Sequence, residues 1–173
     1  MQERRAFTSI ETDRHAAILT RFLRSPRIVL AVVVVLVVAI DQITKSFAQA
    51  DLAHRTVRIV GPLSLKLLYN TGVAFSIGSG NAPLVTVVEL VVISGILLYA
   101  IRIKTTLLTV GFAMVIGGAL GNISDRLFRN NHGAVIDFIH TGFWPTFNLA
   151  DTSVVIGIVV ILIASRPKST RSA

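Results

Sequence analysis

The stretch IVLAVVVVLVVAIDQITKSF, Ile28 to Phe47, decides the class of fold. No polar side chain interrupts it from Ile28 to Ile40; then Asp41, Gln42, Thr44 and Lys45 gather at one end. A helix needs roughly 20 largely apolar residues to cross the hydrocarbon core of a bilayer. Three further apolar segments follow, about Pro83 to Ile103, about Leu107 to Leu127 and about Leu149 to Ser165, the last opening with Asp151, Thr152 and Ser153. Of the 173 residues 53% are hydrophobic and only 15% charged, and the mean hydropathy is +0.72. Soluble domains carry about 25% charge. The expectation is an all-α membrane protein of four transmembrane helices in one unit.

The basic residues orient it. Arg4, Arg5, Arg14, Arg21, Arg24 and Arg27 precede the first segment, Arg102 and Lys104 lie between the second and third, and Arg166, Lys168 and Arg171 follow the fourth. Eleven of the 17 Lys and Arg thus fall on one side, and the positive-inside rule makes that side, with both termini, cytoplasmic. The net charge of +8 is therefore topology rather than a nucleic-acid surface. The expected organisation is a basic tail over 1–24, a membrane domain over 25–165 and a basic tail over 166–173. Arginines, an apolar run and then Ala48-Gln49-Ala50 have the outline of a cleavable signal peptide. Asp41 and Lys45 lie in between, however, and three more spans follow, so the segment reads as a retained helix.

Two loops should face outward. In residues 48–82, Val57-Arg58-Ile59-Val60, Gly61-Pro62 and Leu63 to Tyr69 read as strand, turn and strand, a small extracytoplasmic β-structure over the membrane. Residues 128–148 read as the second loop, with Phe143, Trp144 and Pro145 suited to the membrane interface. No internal repeat is evident, which argues against an inverted-repeat transporter.

Polar groups at the outward ends carry the chemistry. An Asp at the centre of a spanning helix costs roughly 2.5–3.5 kcal/mol, and less toward the ends. Asp137 nevertheless stands in the apolar run Val135 to Ile139, and Asp151 opens the fourth helix. Asp151 alone has the ordinary reading of a helix N-cap; Asp137 has no such alternative. Asp41 and Lys45, spaced i, i+4, read as an ion pair with Lys45 snorkelling to the headgroups. Asn70-Thr71-Gly72 suits either a turn or a grip on a peptide backbone. Gly117, Gly118 and Gly121 allow close helix packing. Asp125 and Arg126 read either as an interface charge pair or as support for the reactive acids; Glu89 within the second span has no specific role, but is expected to face the bundle interior and pair with Lys45 or Arg126. With no cysteine, disulfides, thiol catalysis and Cys-ligated zinc are excluded. His132 and His140 bracket Asp137 without a metal-ligand pattern, and Lys45-Ser46 does not suit Ser–Lys catalysis, so no metal or cofactor is expected. A proton- or ion-coupled transporter is the alternative, because membrane acids also mark ion paths. It would want acids at several depths, whereas Asp41, Asp125, Asp137 and Asp151 share one side. A non-catalytic scaffold is the third reading.

Five motifs in order, Asp41-Gln42-Ile43-Thr44-Lys45, Asn70-Thr71-Gly72-Val73-Ala74-Phe75, Gly121-Asn122-Ile123-Ser124-Asp125-Arg126, Val135-Ile136-Asp137-Phe138 and Phe147-Asn148-Leu149-Ala150-Asp151, resemble those of bacterial lipoprotein signal peptidase, or signal peptidase II. The resemblance covers about residues 28–165. It implies an aspartic endopeptidase in the bacterial cell membrane, its site near the outer leaflet, that cleaves diacylglyceryl-modified prolipoproteins on the N-terminal side of the lipobox cysteine. It places the catalytic pair on Asp137 and Asp151, with Asn70, Asn122, Asp125, Arg126, Asn148, Asp41 and Lys45 as substrate-binding or supporting residues. Membrane lipids are the expected surroundings, with no nucleic-acid partner and a monomer as the expected working unit. One departure is that Arg126 to Ile136, including Arg129-Asn130-Asn131-His132-Gly133, is longer than the corresponding stretch of many members; these residues are expected to extend a surface loop.

Overall fold

The computed structural model describes residues 25–72 and 81–166. The tail 1–24, Val73 to Phe75 of the Asn70 motif, and the C-terminal tail beyond Arg166 lie outside the described residues. Among the described residues, four helices and three strands occur in the order α1 (Pro26–Asp51), β1 (Val57–Val60), β2 (Leu63–Asn70), α2 (Ala82–Ala100), α3 (Thr106–Phe128), β3 (Val135–His140) and α4 (Leu149–Ala164). Helices α1, α2 and α3 are long and apolar enough to cross a membrane, while α4 is shorter at 16 residues.

Each helix begins where the chain dictates. Pro26 enters the first turn of α1, where its missing N–H removes a donor that would lack an intrahelical partner anyway. The Asn81 side chain caps α2 by accepting from the Leu84 N–H, with Pro83 just inside. Helix α3 packs against all three other helices. Its glycines make that possible. A Cβ on Gly117 would stand 2.8 Å from Val37 Cβ of α1, one on Gly118 would strike the Ala150 carbonyl of α4, and one on Gly111 would meet Ile161 Cγ1 at 2.8 Å. Small residues let membrane helices approach at backbone distance, as the sequence predicted. Leu30, Ile93, Ala113, Ile116 and Ile123 close the core between α1, α2 and α3. Val87, Val88, Val91 and Val92 of α2 remain exposed, as on a lipid-facing surface.

The strands form one antiparallel sheet in the order β1-β2-β3. The hairpin of β1 and β2 matches the sequence reading, with Gly61 at φ +53° in its turn. The third strand was missed: residues 128–148, read as a loop, contain β3. Tyr69 pairs with Ile136, and Asn70 with Val135. The run Val135 to Phe138 is buried along its length, so it lacks the alternation that marks a half-exposed strand. Helix α1 also runs four residues past its expected end. Its last turn packs beneath the sheet, where Ala48 and Leu52 are buried with Ile136 and Phe138. Strand β3 is thereby tied to one end of the helical bundle.

Candidate active site

Asp137 and Asp151 face one cavity of about 660 Å³ between β2, β3 and the helices. Asn70, Asn122, Arg126 and Glu89 contribute polar groups to its lining; Leu68, Val135, Pro145, Val154 and Val155 contribute apolar ones. Asp137 reaches it from the middle of β3. The sheet register places Asn70 diagonally across from it, two residues along the same face, which long side chains can span. Asn70 Nδ2 donates to Asp137 Oδ2 at 3.0 Å, and its own Oδ1 accepts the Gly72 N–H at 3.0 Å. Asn148 Nδ2 donates to Asp137 Oδ1 at 2.7 Å. Asp137 is only 2% exposed. Burial, and next the negative charge of Asp151, push its carboxyl up to about 7; the hydrogen bonds from Asn70 and Asn148 counter part of that rise.

Asp151 sits in the first turn of α4. Its ordinary reading as an N-cap is corrected: Asn148 is the cap. The Asp151 N–H donates to Asn148 Oδ1 at 2.9 Å, and Asp151 Oδ2 accepts the Asn148 N–H at 3.2 Å. This reciprocal capping box fixes the Asp151 side chain at the positive end of a helix, where an anion is favoured. Its other oxygen, Oδ1, accepts from Asn122 Nδ2 at 2.9 Å. Asn148 therefore serves both acids, capping Asp151 and donating to Asp137. It is fully buried, and its amide nitrogen is taken up by Asp137, Asn122 and the Ile136 carbonyl.

Behind the cavity lies a second cluster. Lys45 Nζ stands 2.8 Å from Asp41 Oδ2 and 2.9 Å from Asp125 Oδ2, and donates to Asn122 Oδ1 at 2.9 Å. Lys45 is 0% exposed, so the snorkelling reading fails: its chain turns into the bundle because two carboxylates and an amide await it there. Asp41 also accepts the Ala150 N–H of α4 at 3.0 Å, satisfying a first-turn donor that has no intrahelical partner. Gly121 leaves the room for this, since a Cβ there would lie 2.6 Å from Asp41 Oδ2.

Asp125 and Arg126, adjacent in sequence, do not form the interface pair considered for them. Asp125 points to Lys45 and accepts the Ile136 N–H at 3.0 Å. Arg126 turns to α2, where Nη1 meets both Glu89 oxygens at 3.1 and 2.9 Å, and Nη2 donates to the Gly72 carbonyl at 2.6 Å. Glu89 thus has its partner. Sequence reading missed two participants. Gln42 Nε2 donates to Asp125 Oδ1 at 2.8 Å, and Arg129 Nε stands 3.0 Å from the same oxygen. The signal for Arg129 was its position four residues after Asp125, on one helical face. His140 Nδ1 lies 3.2 Å from Thr146 Oγ1, and among the described residues no three His, Asp or Glu side chains gather as a metal site.

The chain is similar to known proteins. A family model described as signal peptidase (SPase) II matches residues 33–166. A lipoprotein signal peptidase of Rhodococcus jostii (strain RHA1) is 38% identical over 154 residues, covering 84% of this chain and 78% of the relative. One from Syntrophomonas wolfei is 40% identical over 131 residues, covering 74% and 86%. A solved structure described as a bacterial membrane enzyme, obtained by the in meso method at 2.3 Å resolution, superposes with a TM-score of 0.70 at 27% identity, covering 83% of this chain and 94% of that one.

Proposed function

Because the chain belongs to the signal peptidase II family, we propose that it removes signal peptides from diacylglyceryl-modified bacterial prolipoproteins by aspartic chemistry, with Asp137 and Asp151 as its acid and base. The observation that carries the aspartic assignment is that these two carboxylates share one cavity and that the charge of one raises the proton affinity of the other. Two close carboxylates hold a single proton between them. Asp151, at a helix N-terminus and accepting two N–H bonds, is the resting base; Asp137, buried, is the protonated partner.

The reaction follows from that division. Asp151 takes a proton from a water molecule as its oxygen attacks the scissile carbonyl carbon on the N-terminal side of the modified cysteine. Asp137 donates to the developing oxyanion. When the carbon–nitrogen bond breaks, a carboxyl group returns a proton to the leaving amine. Asn122 and Asn148 are supporting residues that hold the acids. Asn70, which lines the cavity and holds Asp137, and Arg126, which also lines it, are the residues assigned to contact with an incoming peptide.

In the membrane all four helices cross, with both termini cytoplasmic and the cavity near the outer leaflet. A 16-residue helix rises about 24 Å, against a hydrocarbon core of roughly 30 Å. The capped start of α4 therefore lies somewhat below the outer surface, at the level of a lipid-anchored cysteine. The apolar part of the cavity lining suits the acyl chains, the surrounding lipids give them a lateral path, and the working unit is a monomer. The test is cleavage of a diacylglyceryl-modified prolipoprotein peptide by the purified protein, with and without chelator. Cleavage before the modified cysteine, indifferent to chelator, is expected. Loss of activity on chelation would replace the aspartic reading with a metal site at His132 or His140.

A further inference from the structure

Arg129 lies in the stretch expected to be a surface loop, yet its side chain is only 17% exposed. It ends α3, and all three of its guanidinium nitrogens are engaged across the bundle. Nη1 donates to Gln49 Oε1 at 2.6 Å; Nη2 donates to the Gln42 carbonyl and Oε1, both at 3.0 Å, and to Ser46 Oγ at 3.1 Å. Nε meets Asp125 Oδ1 at 3.0 Å. Two turns of α1 are thus clamped to the last turn of α3 by one planar cation.

The clamp continues toward the acids. With Oδ1 held by Arg129 and Gln42, the Asp125 carboxylate turns Oδ2 to Lys45 and to the Ile136 N–H. Ile136 immediately precedes Asp137. Gln49 also reaches Asn131 Oδ1 at 3.4 Å, inside the turn that leads from α3 into β3. Two routes therefore run from Arg129 to the start of the strand carrying Asp137. We propose that Arg129 is a positioning residue of the peptidase: it orients Asp125 and the 129–134 turn, so that β3 presents Asp137 at the fixed place its partner acid requires. Lysine cannot substitute fully, because a single ammonium does not span Asp125, Gln42, Ser46 and Gln49 at once.

This inference rests on the proposed peptidase reading, and its test has one arm that does not. In full-length Arg129→Met, hydrogen exchange followed by mass spectrometry should quicken over residues 134–140 while α4 keeps its wild-type protection. On a diacylglyceryl-modified prolipoprotein peptide, kcat should fall about tenfold, with KM within about twofold, since the misplaced group acts in the chemical step rather than in binding. Arg129→Lys should recover part of kcat and most of the β3 protection, and it stands in if the Met variant does not accumulate in membranes. Wild-type kcat and wild-type exchange in Arg129→Met overturn the proposal. So does loosening spread evenly over α1, α3 and α4 with no recovery in Arg129→Lys, which would make Arg129 a general fold contact. If the wild-type protein leaves the lipopeptide intact, the peptidase reading fails by itself, while the exchange arm still decides whether Arg129 holds β3.

Discussion

Two groups of buried carboxylates sit back to back at one end of the bundle, and they are treated oppositely. Asp41 and Asp125 face Lys45 and Arg129, so that two anions meet two cations. Asp137 and Asp151 receive asparagine amides and a backbone N–H instead, with no cation within salt-bridge distance of either among the described residues. A buried ion pair is balanced and chemically quiet; taking away one partner leaves an uncompensated charge. Two acids held only by neutral donors remain free to trade a proton. Asn122 lies on the boundary, its oxygen on Lys45 and its nitrogen on Asp151. The ionic cluster thus fixes which way that amide points, and Asp151 receives a donor in consequence.

The largest effect should come from breaking the uncompensated side. Asp137→Asn or Asp151→Asn should lower turnover of a lipopeptide substrate by roughly 10³-fold or more, as expected when an acid–base group is removed, while the protein still inserts and elutes as one species. Substantial cleavage by either purified variant would mean that the two clusters differ in charge balance but not in chemistry. Breaking the compensated side should act on stability first. Lys45→Met strands Asp41 and leaves two anions to the single cation Arg129, and should cost about 3–5 kcal/mol, read as a large fall in the detergent unfolding midpoint. Adding Asp125→Asn should recover part of that loss. A Lys45→Met protein that melts like wild type would show that the cluster is not held by charge.

The sequence was most legible where geometry is local. Helix positions followed from apolar length, the β1–β2 hairpin from a Gly-Pro turn between extended runs, and the Asp41–Lys45 pair from helical spacing. The destination of Lys45 was not legible. Snorkelling is the cheaper course for a lone lysine at a helix end; Asp125 and Asn122, about eighty residues away, join Asp41 to make burial favourable. Strand β3 was hidden because it is buried without alternation. Asn148 as the cap was readable in principle, since Asn-x-x-Asp ahead of an apolar helix is a capping-box pattern, but Asp151 is itself a common cap residue and masks it. The motifs pointed to the two acids that line one cavity; which cation serves which acid required the fold.

A third way to probe the comparison uses no charge at all. Gly121→Ala would put a methyl group 2.6 Å from Asp41 Oδ2, between the compensated cluster and α4. Overpacking of this kind costs about 1–3 kcal/mol, and here it should displace Asp41 from the Ala150 N–H and shift the start of α4 that carries Asp151. Activity should therefore fall together with the unfolding midpoint, whereas the Asp137→Asn variant should lose activity far out of proportion to any change in melting. A Gly121→Ala protein with unchanged midpoint and turnover would separate the two clusters and remove the claim that one positions the other.

The mildest perturbation is pH. The carboxyl of Asp137 is raised from the ordinary carboxylate range to about 7. A carboxyl raised on folding contributes stability that is fully present below its unfolded value near 3.8 and is lost as pH climbs to about 7. The proton-donor role proposed for it has the same sign: kcat/KM should hold on the acid side of 7 and fall above it, approaching tenfold per pH unit once Asp137 is ionised. Stability gives a separate readout in the same experiment: the Asp137 contribution is nearly lost by pH 7, so the unfolding midpoint should change far less between pH 7 and 8 than activity does. A basic limb well above pH 9, or one that tracks the melting curve, would place the titrating proton somewhere other than on Asp137.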